Sequence, residues 1–196
     1  NDGGSIPTRR ELVKASAKEQ SSSQIFEQNQ LNAEFIWSTC RLSKDPLELP
    51  IVCDYMGRLY NKSALLEWLI SPEKYGDGQY TVPHIKSMKD VIELKIAKSD
   101  RSGQWVCPIT GKELRSGGTK FVCISECGHV FAERALQEID SAQCLECNTS
   151  FKKDNIIILN PILKADIETL KKRYERLMSE GLTNSLKQLI SKKKRK

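Results

Sequence analysis

Hydrophobic and polar positions follow a regular period in only a few short stretches of this chain. The stretch SALLEWLI, which begins at Ser63, has apolar residues on successive helical turns, and a serine side chain is suited to capping a helix. The stretch VIELKIA, residues 91–97, instead alternates apolar and polar positions with the period of a half-buried strand. The pattern therefore predicts a short helix from Ser63 and a strand over 91–97, separated by a loop at residues 71–80.

The longest helical pattern is NPILKADIETLKKRYERLMSEG, residues 160–181. Asn160 is suited to cap this helix, Pro161 suits its first position, and Gly181 predicts its end. The apolar stripe of the helix consists of Leu163, Ile167, Leu170, Tyr174 and Leu177. Such a stripe favours packing against the rest of the domain, and docking on a partner protein is the alternative.

The two ends of the chain show no apolar period. Residues 1–30 are rich in Gly, Ser, Gln and charged side chains, which predicts an irregular segment that orders only on binding. No apolar run in the chain exceeds four residues, and 39% of the residues are hydrophobic. The sequence thus predicts neither a membrane-spanning segment nor a membrane partner.

The net charge of +6 is concentrated at the C-terminal end. The last five residues carry +5, which leaves +1 for the other residues and argues against a folded basic groove. A short basic cluster is typical of a nuclear localisation signal, or of an arm that makes weak contacts with nucleic acid. The predicted nuclear-targeting residues are Lys192, Lys193, Lys194, Arg195 and Lys196.

Cysteines provide the clearest chemical signal. Their number, seven, is odd, and this favours reduced thiols over a disulfide framework. Cys127-Gly-His129 supplies two ligands on one tight turn, and Cys144-x-x-Cys147 supplies two more. Because Zn²⁺ takes four Cys or His ligands in a closed tetrahedron at structural sites, these four residues predict a structural zinc.

A comparison of the chain with itself shows an internal repeat. IVCDYMGRLYNKSALLEWL, residues 51–69, matches FVCISECGHVFAERALQEI, residues 121–139, with a single-residue gap. The alignment pairs Val52 with Val122, Cys53 with Cys123, Gly57 with Gly128, and Tyr60 with Phe131. The chain is therefore predicted to contain two copies of a small β-β-α unit.

The two copies differ at the metal-binding positions. Met56 and Arg58 take the places of Cys127 and His129, and residues 70–83 contain no Cys or His to match the second ligand pair. The sequence therefore predicts one zinc per chain. The cysteines left over are expected to act as small core hydrophobes, namely Cys40, Cys53, Cys107 and Cys123. His84 is expected to have a structural or surface role, with a polar contact in a turn as the alternative.

The second copy resembles one-zinc RING domains of the SUMO-ligase type, and the first copy resembles the U-box, the metal-free relative of the RING. The segments NDGGSIPTRRELVK, GRLYNKSALLEWL, HIKSMKDVIELK, WVCPITGKEL, CGHVFAERAL and CLEC resemble, in order, those of the replication termination factor 2 family. The resemblance covers roughly residues 1–160. It implies a nuclear protein linked to replication fork pausing and termination, with some members tied to pre-mRNA splicing.

The resemblance implies an α+β fold with two tandem RING/U-box-like modules, a C-terminal helix and flexible ends. The expected divisions are a flexible segment at 1–33, a U-box-like module at 34–98, a single-zinc RING-like module at 99–160, a helix at 161–181 and a basic tail at 182–196. The expected function is that of a nuclear adaptor that binds protein partners in the replisome, or in the spliceosome.

A ubiquitin or SUMO ligase is the alternative function. A RING of this kind binds a charged conjugating enzyme and contributes no nucleophile or base, so no catalytic residue is predicted. The partner-binding surface would use Leu42 or Ile109, together with Trp68 on the predicted helix. The knuckle reads CLECN, without the proline that active RINGs often have beside the last cysteine pair, and this favours the adaptor.

Overall fold

The computed structural model describes residues 21–115 and 117–189. The predicted nuclear-targeting residues 192–196 and the first 20 residues of the N-terminal segment therefore lie outside the described residues. The chain divides into two compact units, residues 1–32 and residues 33–196. Within the described residues, no helix is long and apolar enough to cross a membrane.

The predicted irregular N-terminal segment is helical in part. Helix α1 spans Ser22–Ser38. The backbone N–H of Gln24 donates to the hydroxyl of Ser21 (3.3 Å), and the N–H of Ser21 donates to the amide oxygen of Gln24 (3.0 Å), which forms a reciprocal cap. The prediction of an irregular structure was wrong here, because Ile25 and Leu31 are exposed and the helix has no clear apolar stripe to reveal it.

The remaining elements form two small sheets of three strands, one of two strands, and further helices. The strands are β1 Ile51–Cys53, β2 Leu59–Asn61, β3 Ile92–Glu93, β4 Ala97–Lys98, β5 Trp105–Val106, β6 Phe121–Ile124, β7 Val130–Ala132 and β8 Ile156–Ile158. The helices are α2 Lys62–Ile70, α3 Gly78–Thr81, α4 Glu133–Ile139 and α5 Lys164–Ser179, with 3₁₀ turns at Pro72–Lys74, Met88–Asp90 and Lys153–Asn155.

The two larger sheets have the same topology. Their strand orders are β2-β1-β3 and β7-β6-β8, all neighbours are antiparallel, and a helix follows β2 and β7 directly. Val52 pairs with Tyr60 in the first sheet, and Val122 pairs with Phe131 in the second. These are the pairs that the sequence alignment equates, so the repeat is present in the strand register. We call residues 40–94 the first repeat and residues 107–159 the second repeat.

Both repeats contribute to one continuous core. The largest fully buried side chains come from both of them and include Ile51, Tyr60, Leu65, Phe121, Ile124 and Phe131. The four cysteines predicted as core residues, Cys40, Cys53, Cys107 and Cys123, have no exposed surface, and that prediction is confirmed. A shared core means that the free energy of burial couples the folding of the two repeats.

Helix α5 packs against the domain as predicted, but it begins later than the sequence suggested. Asn160 has a left-handed φ of 44°, so the chain turns there and the helix begins only at Lys164. Leu170 and Leu177 are buried, whereas Leu163 is exposed and does not belong to the buried stripe. Gly181, with a φ of 72°, follows the last helical residues as predicted.

Two other predicted elements differ in detail. Helix α2 begins at Lys62, and Asn61 precedes it without a side-chain cap, so Ser63 is not the capping residue. The predicted strand over 91–97 is broken into β3 and the start of β4, because Lys95 leaves its own sheet and forms a parallel bridge with His129 of the second repeat. This long-range pairing has no signature in the local pattern.

Candidate metal centre

The hairpin turn between β6 and β7 presents the first two predicted ligands. The N–H of Gly128 donates to the carbonyl of Ile124 (2.7 Å), and the N–H of Ile124 donates to the carbonyl of His129 (3.0 Å), which closes a tight turn. Gly128 adopts a left-handed φ of 83° that favours glycine. The turn therefore holds Cys127 and His129 on either side of Gly128, a position where a residue with a side chain would strain the backbone.

A second turn, after helix α4, presents the other pair. The N–H of Cys144 donates to the carbonyl of Thr149 (2.9 Å), and the N–H of Asn148 donates back to the carbonyl of Cys144 (2.9 Å). Asn148 has a left-handed φ of 58°, a conformation that Asn tolerates better than most residues. This knuckle leaves Cys144 buried and Cys147 exposed at the edge of the site.

The four side chains converge. One ligand atom from each of Cys127, His129, Cys144 and Cys147 lies within 4.8 Å of all the others. The Nδ1 atom of His129 is buried and has no hydrogen-bond partner among the described residues. Because a buried ring nitrogen without a partner is costly, its position among three thiols fits a metal ligand. The cluster could therefore bind a metal ion, and the donor set suits zinc.

Electrostatics at the site agree with this donor set. Burial raises the pKa of the Cys127 thiol to about 12, so this thiol stays protonated unless a cation replaces the proton. A hydrogen bond from Thr149 lowers the pKa of the exposed Cys147 to about 7. Burial, with the charge of Lys95 next in importance, lowers the pKa of His129 and keeps its imidazole neutral. A neutral imidazole has the lone pair that metal binding requires.

The knuckle at Cys144 occurs two more times among the described residues. Cys40 and Cys107 each donate their N–H to the carbonyl five residues later, at 2.8 and 2.9 Å, and each accepts a hydrogen bond from the residue four positions later. That fourth residue is left-handed in all three turns: Lys44, Gly111 and Asn148. Where the third turn has its second ligand, the first two have Ser43 and Thr110. The likeness between the stretches at Cys40 and Cys107 can be read from the sequence, whereas their likeness to the knuckle at Cys144 was missed.

The matching turn in the first repeat is held by a carboxylate. Asp54 has no exposed surface, and its Oδ1 accepts hydrogen bonds from the N–H groups of Met56 (3.0 Å) and Arg58 (2.9 Å). Its Oδ2 accepts a hydrogen bond from the hydroxyl of Tyr60 (2.9 Å) and lies 2.8 Å from Nε2 of His84. His84 therefore has a structural role, which it performs through a polar contact with the turn at Asp54, a distant part of the chain.

A buried arginine fixes the segment that follows helix α5. Arg173 is 4% exposed and donates to the carbonyl of Asn155 (3.1 Å), the hydroxyl of Ser125 (2.8 Å) and the side-chain oxygen of Asn184 (2.6 Å). The side-chain amide of Asn184 in turn donates to the carbonyl of Asp90 (3.2 Å). One guanidinium thus links helix α5 to both repeats, a role that the sequence did not reveal.

The three predicted partner-contact residues have different exposures. Leu42 is 2% exposed and belongs to the core. The prediction that it contacts a partner was therefore wrong, because a buried side chain is not accessible. Trp68 is half-buried, and its ring packs so closely on Gly78 that a Cβ added there would overlap it. Ile109, at the matching position of the second repeat, is 44% exposed and accessible to a partner.

Comparison with known proteins agrees with a Cys/His cluster that could bind a metal ion. The family model described as Rtf2 RING-finger matches residues 1–196. The chain is 38% identical to replication termination factor 2 of Gallus gallus over an alignment of 191 residues, with coverage of 89% of this chain and 60% of that protein. It is 37% identical to the Homo sapiens protein of that name over 193 residues, with coverage of 89% and 60%.

Another relative has a different name. The chain is 37% identical to splicing factor rtf2 of Schizosaccharomyces pombe over 188 residues, which are 95% of this chain and 75% of that protein. The chain spans about 60% of the length of the two vertebrate relatives. Because the family model matches the whole chain and the relatives named above are 37–38% identical to it, the chain belongs to the Rtf2 RING-finger family.

Proposed function

We propose that this chain binds one structural zinc ion through Cys127, His129, Cys144 and Cys147. The support is the convergence of four Cys and His ligand atoms within 4.8 Å, in a chain of a RING-finger family. Four protein ligands complete the tetrahedron that zinc prefers and leave no open position for a substrate. The zinc would therefore stabilise the second repeat. Elemental analysis of the purified chain tests this, with one zinc per chain as the expected result.

We propose further that the chain is a nuclear adaptor, in which a U-box-like first repeat and a RING-like second repeat bind protein partners. The four-ligand cluster carries this proposal, because it makes the second repeat RING-like, and modules of that kind act by binding other proteins. Relatives named replication termination factor 2 support a place at replication forks, and the relative named splicing factor rtf2 supports a place in the spliceosome. The replication role is the first choice, since both vertebrate relatives have that name.

Proximity labelling in intact cells tests the adaptor proposal. The full chain should label replisome proteins or splicing proteins, and the identity of the labelled set decides between the two assemblies. A variant without residues 1–30 shows whether the N-terminal segment selects the partners. A variant without residues 192–196 should shift toward the cytoplasm if the basic tail is a nuclear signal. Unchanged nuclear retention together with a loss of salt-sensitive nucleic-acid binding would indicate an arm instead.

A ubiquitin or SUMO ligase remains the second candidate, and one observation favours it. Ile109 lies within the Cys107 knuckle and is 44% exposed, which makes it accessible to a conjugating enzyme. Discharge of a charged conjugating enzyme by the purified chain, abolished by Ile109→Ala, would establish this function over the adaptor. Leu42→Ala is not a useful variant for this test, because it removes a core side chain and would lower stability.

A further inference from the structure

We propose that the end of the first repeat, together with Lys95 directly after it, positions the metal-binding turn of the second repeat through the segment Glu93–Lys95. The inference rests on the proposal that Cys127, His129, Cys144 and Cys147 hold zinc. It adds that the four ligands do not form the site alone, because backbone groups from the other repeat fix the turn that carries two of them.

The first observation is the close approach of two backbones at Gly128. This glycine separates the ligands Cys127 and His129, and a Cβ added to it would overlap the carbonyl oxygen of Glu93. The turn therefore rests directly on the backbone of strand β3. Only a residue without a side chain allows this approach, and the left-handed φ of Gly128 adds to the same requirement.

The second observation is a pair of hydrogen bonds on either side of His129. The N–H of Lys95 donates to the carbonyl of Gly128 (2.8 Å), and the N–H of Val130 donates to the carbonyl of Lys95 (3.3 Å). The peptide groups before and after His129 are thus both held by one residue of the preceding segment. Since the backbone on both sides is fixed, the direction in which the imidazole leaves the chain is fixed as well.

The third observation is that the same contact exists where there are no metal ligands. The N–H of Asn160, the residue after the second repeat, donates to the carbonyl of Gly57 (2.9 Å). A Cβ added to Gly57 would overlap the carbonyl oxygen of Ile158. Each repeat therefore holds the turn of the other, in a reciprocal arrangement. Because the contact at Gly57 forms without metal ligands, the contact at Gly128 can order the ligand turn before metal binds, which raises affinity.

Titration of the full chain with Co²⁺ tests the proposal, using the absorption of thiolate-bound cobalt as the signal. Lys95→Pro removes the N–H that donates to Gly128, whereas Lys95→Ala keeps that N–H and removes only the side chain. Lys95→Pro should bind Co²⁺ about 10- to 100-fold more weakly, the usual loss for a residue that orients a metal ligand. Lys95→Ala removes the same positive charge near His129 as Lys95→Pro does, so the difference in affinity between the two variants measures the effect of the N–H alone.

The zinc proposal and the proposed role of Glu93–Lys95 can fail separately. If the wild-type chain binds no Co²⁺, the zinc proposal fails, and this inference fails with it. If the wild-type chain binds Co²⁺ and Lys95→Pro matches Lys95→Ala in affinity and absorption spectrum, only this inference is overturned.

If Lys95→Pro does not fold, amide hydrogen exchange of the wild-type chain decides. Coupling between two sites is reciprocal, so a contact that strengthens metal binding is itself strengthened by the metal. Removal of the metal with a chelator should speed exchange at the Lys95 amide about tenfold or more relative to the Asn160 amide, its counterpart in the mirrored contact. Equal changes at both amides would overturn the proposal.

Discussion

The hairpin turns of the two repeats are stabilised by different chemical groups. In the first repeat, the carboxylate of Asp54 accepts hydrogen bonds from two backbone N–H groups of the turn and from Tyr60. In the second repeat Ile124 occupies the place of Asp54, as the equivalent backbone hydrogen bonds show, and two potential metal ligands lie on the turn. A buried carboxylate organises its turn as soon as the chain folds, whereas a ligand turn also depends on the supply of metal.

The largest effect is expected from removing a ligand. Cys144→Ser should abolish stoichiometric metal binding, because a structural zinc site is closed by four protein ligands. The loss of stability should be large, since structural zinc contributes an apparent ~10–16 kcal/mol in zinc-finger peptides at neutral pH. The two repeats share one core, so the loss should lower the thermal unfolding temperature of the whole unit and not only of the second repeat. Elemental analysis and circular dichroism measure the two effects.

A matched control for Cys144→Ser is Cys123→Ser, which changes a buried cysteine outside the cluster. Cys123→Ser should keep one metal ion per chain and lose only part of its stability. If Cys123→Ser alone releases the metal, the assignment of the ligands is wrong. Two separate unfolding transitions for Cys144→Ser would show instead that the repeats fold independently.

The next largest effect is expected at the turn without metal ligands. Asp54→Ala leaves two backbone N–H groups and the hydroxyl of Tyr60 without their acceptor in a buried site. The free energy of unfolding should fall by about 3–5 kcal/mol, as for other broken buried polar networks. Urea unfolding measures this loss. Metal content should be unchanged, because the metal ligands lie on the other turn. Release of metal from a folded Asp54→Ala chain would show that metal binding depends on the turn at Asp54.

A smaller effect is expected at Gly57, the glycine of the first repeat whose turn contacts the end of the second repeat. Gly57→Ala places a methyl group against the carbonyl of Ile158 and strains a left-handed φ of 73°, so it should destabilise the fold by about 2–4 kcal/mol. Gly111→Ala is the control, because Gly111 has a similar φ of 69° and open space around it. It should lose only about 1–2 kcal/mol, the usual cost of a left-handed conformation for a residue with a side chain. Equal losses in urea unfolding would mean that the contact between repeats contributes little.

The smallest of these effects is expected at the buried guanidinium. Arg173→Met keeps much of the side-chain volume but leaves the carbonyl of Asn155 and the side-chain oxygen of Asn184 without this donor. The free energy of unfolding should fall by about 2–3 kcal/mol. Amide exchange should increase at Ser185, whose N–H donates to the carbonyl of Lys89. Unchanged exchange there would show that Arg173 does not hold this segment in place.

The sequence by itself determined the features that depend on short spacings. The four candidate ligands follow from two pairs of residues that are close in the chain, and the repeat follows from matched letters such as Val52–Cys53 and Val122–Cys123. Helix α5 followed from an apolar stripe, although its start was wrong, because the left-handed turn at Asn160 ends the preceding segment first. Periodicity and ligand spacing are local properties, so they can be read without knowing the fold.

Only the tertiary structure decided how the repeats act on each other. The pairing of Lys95 with the turn at Gly128, and the contact of His84 with Asp54, join residues about 30 positions apart. The burial of Leu42 and of Arg173 likewise depends on what packs around them, and neither residue type predicts it. Hydrogen bonds between distant backbone groups depend on register and distance rather than on residue identity, and the order of residues in one sequence does not encode them locally.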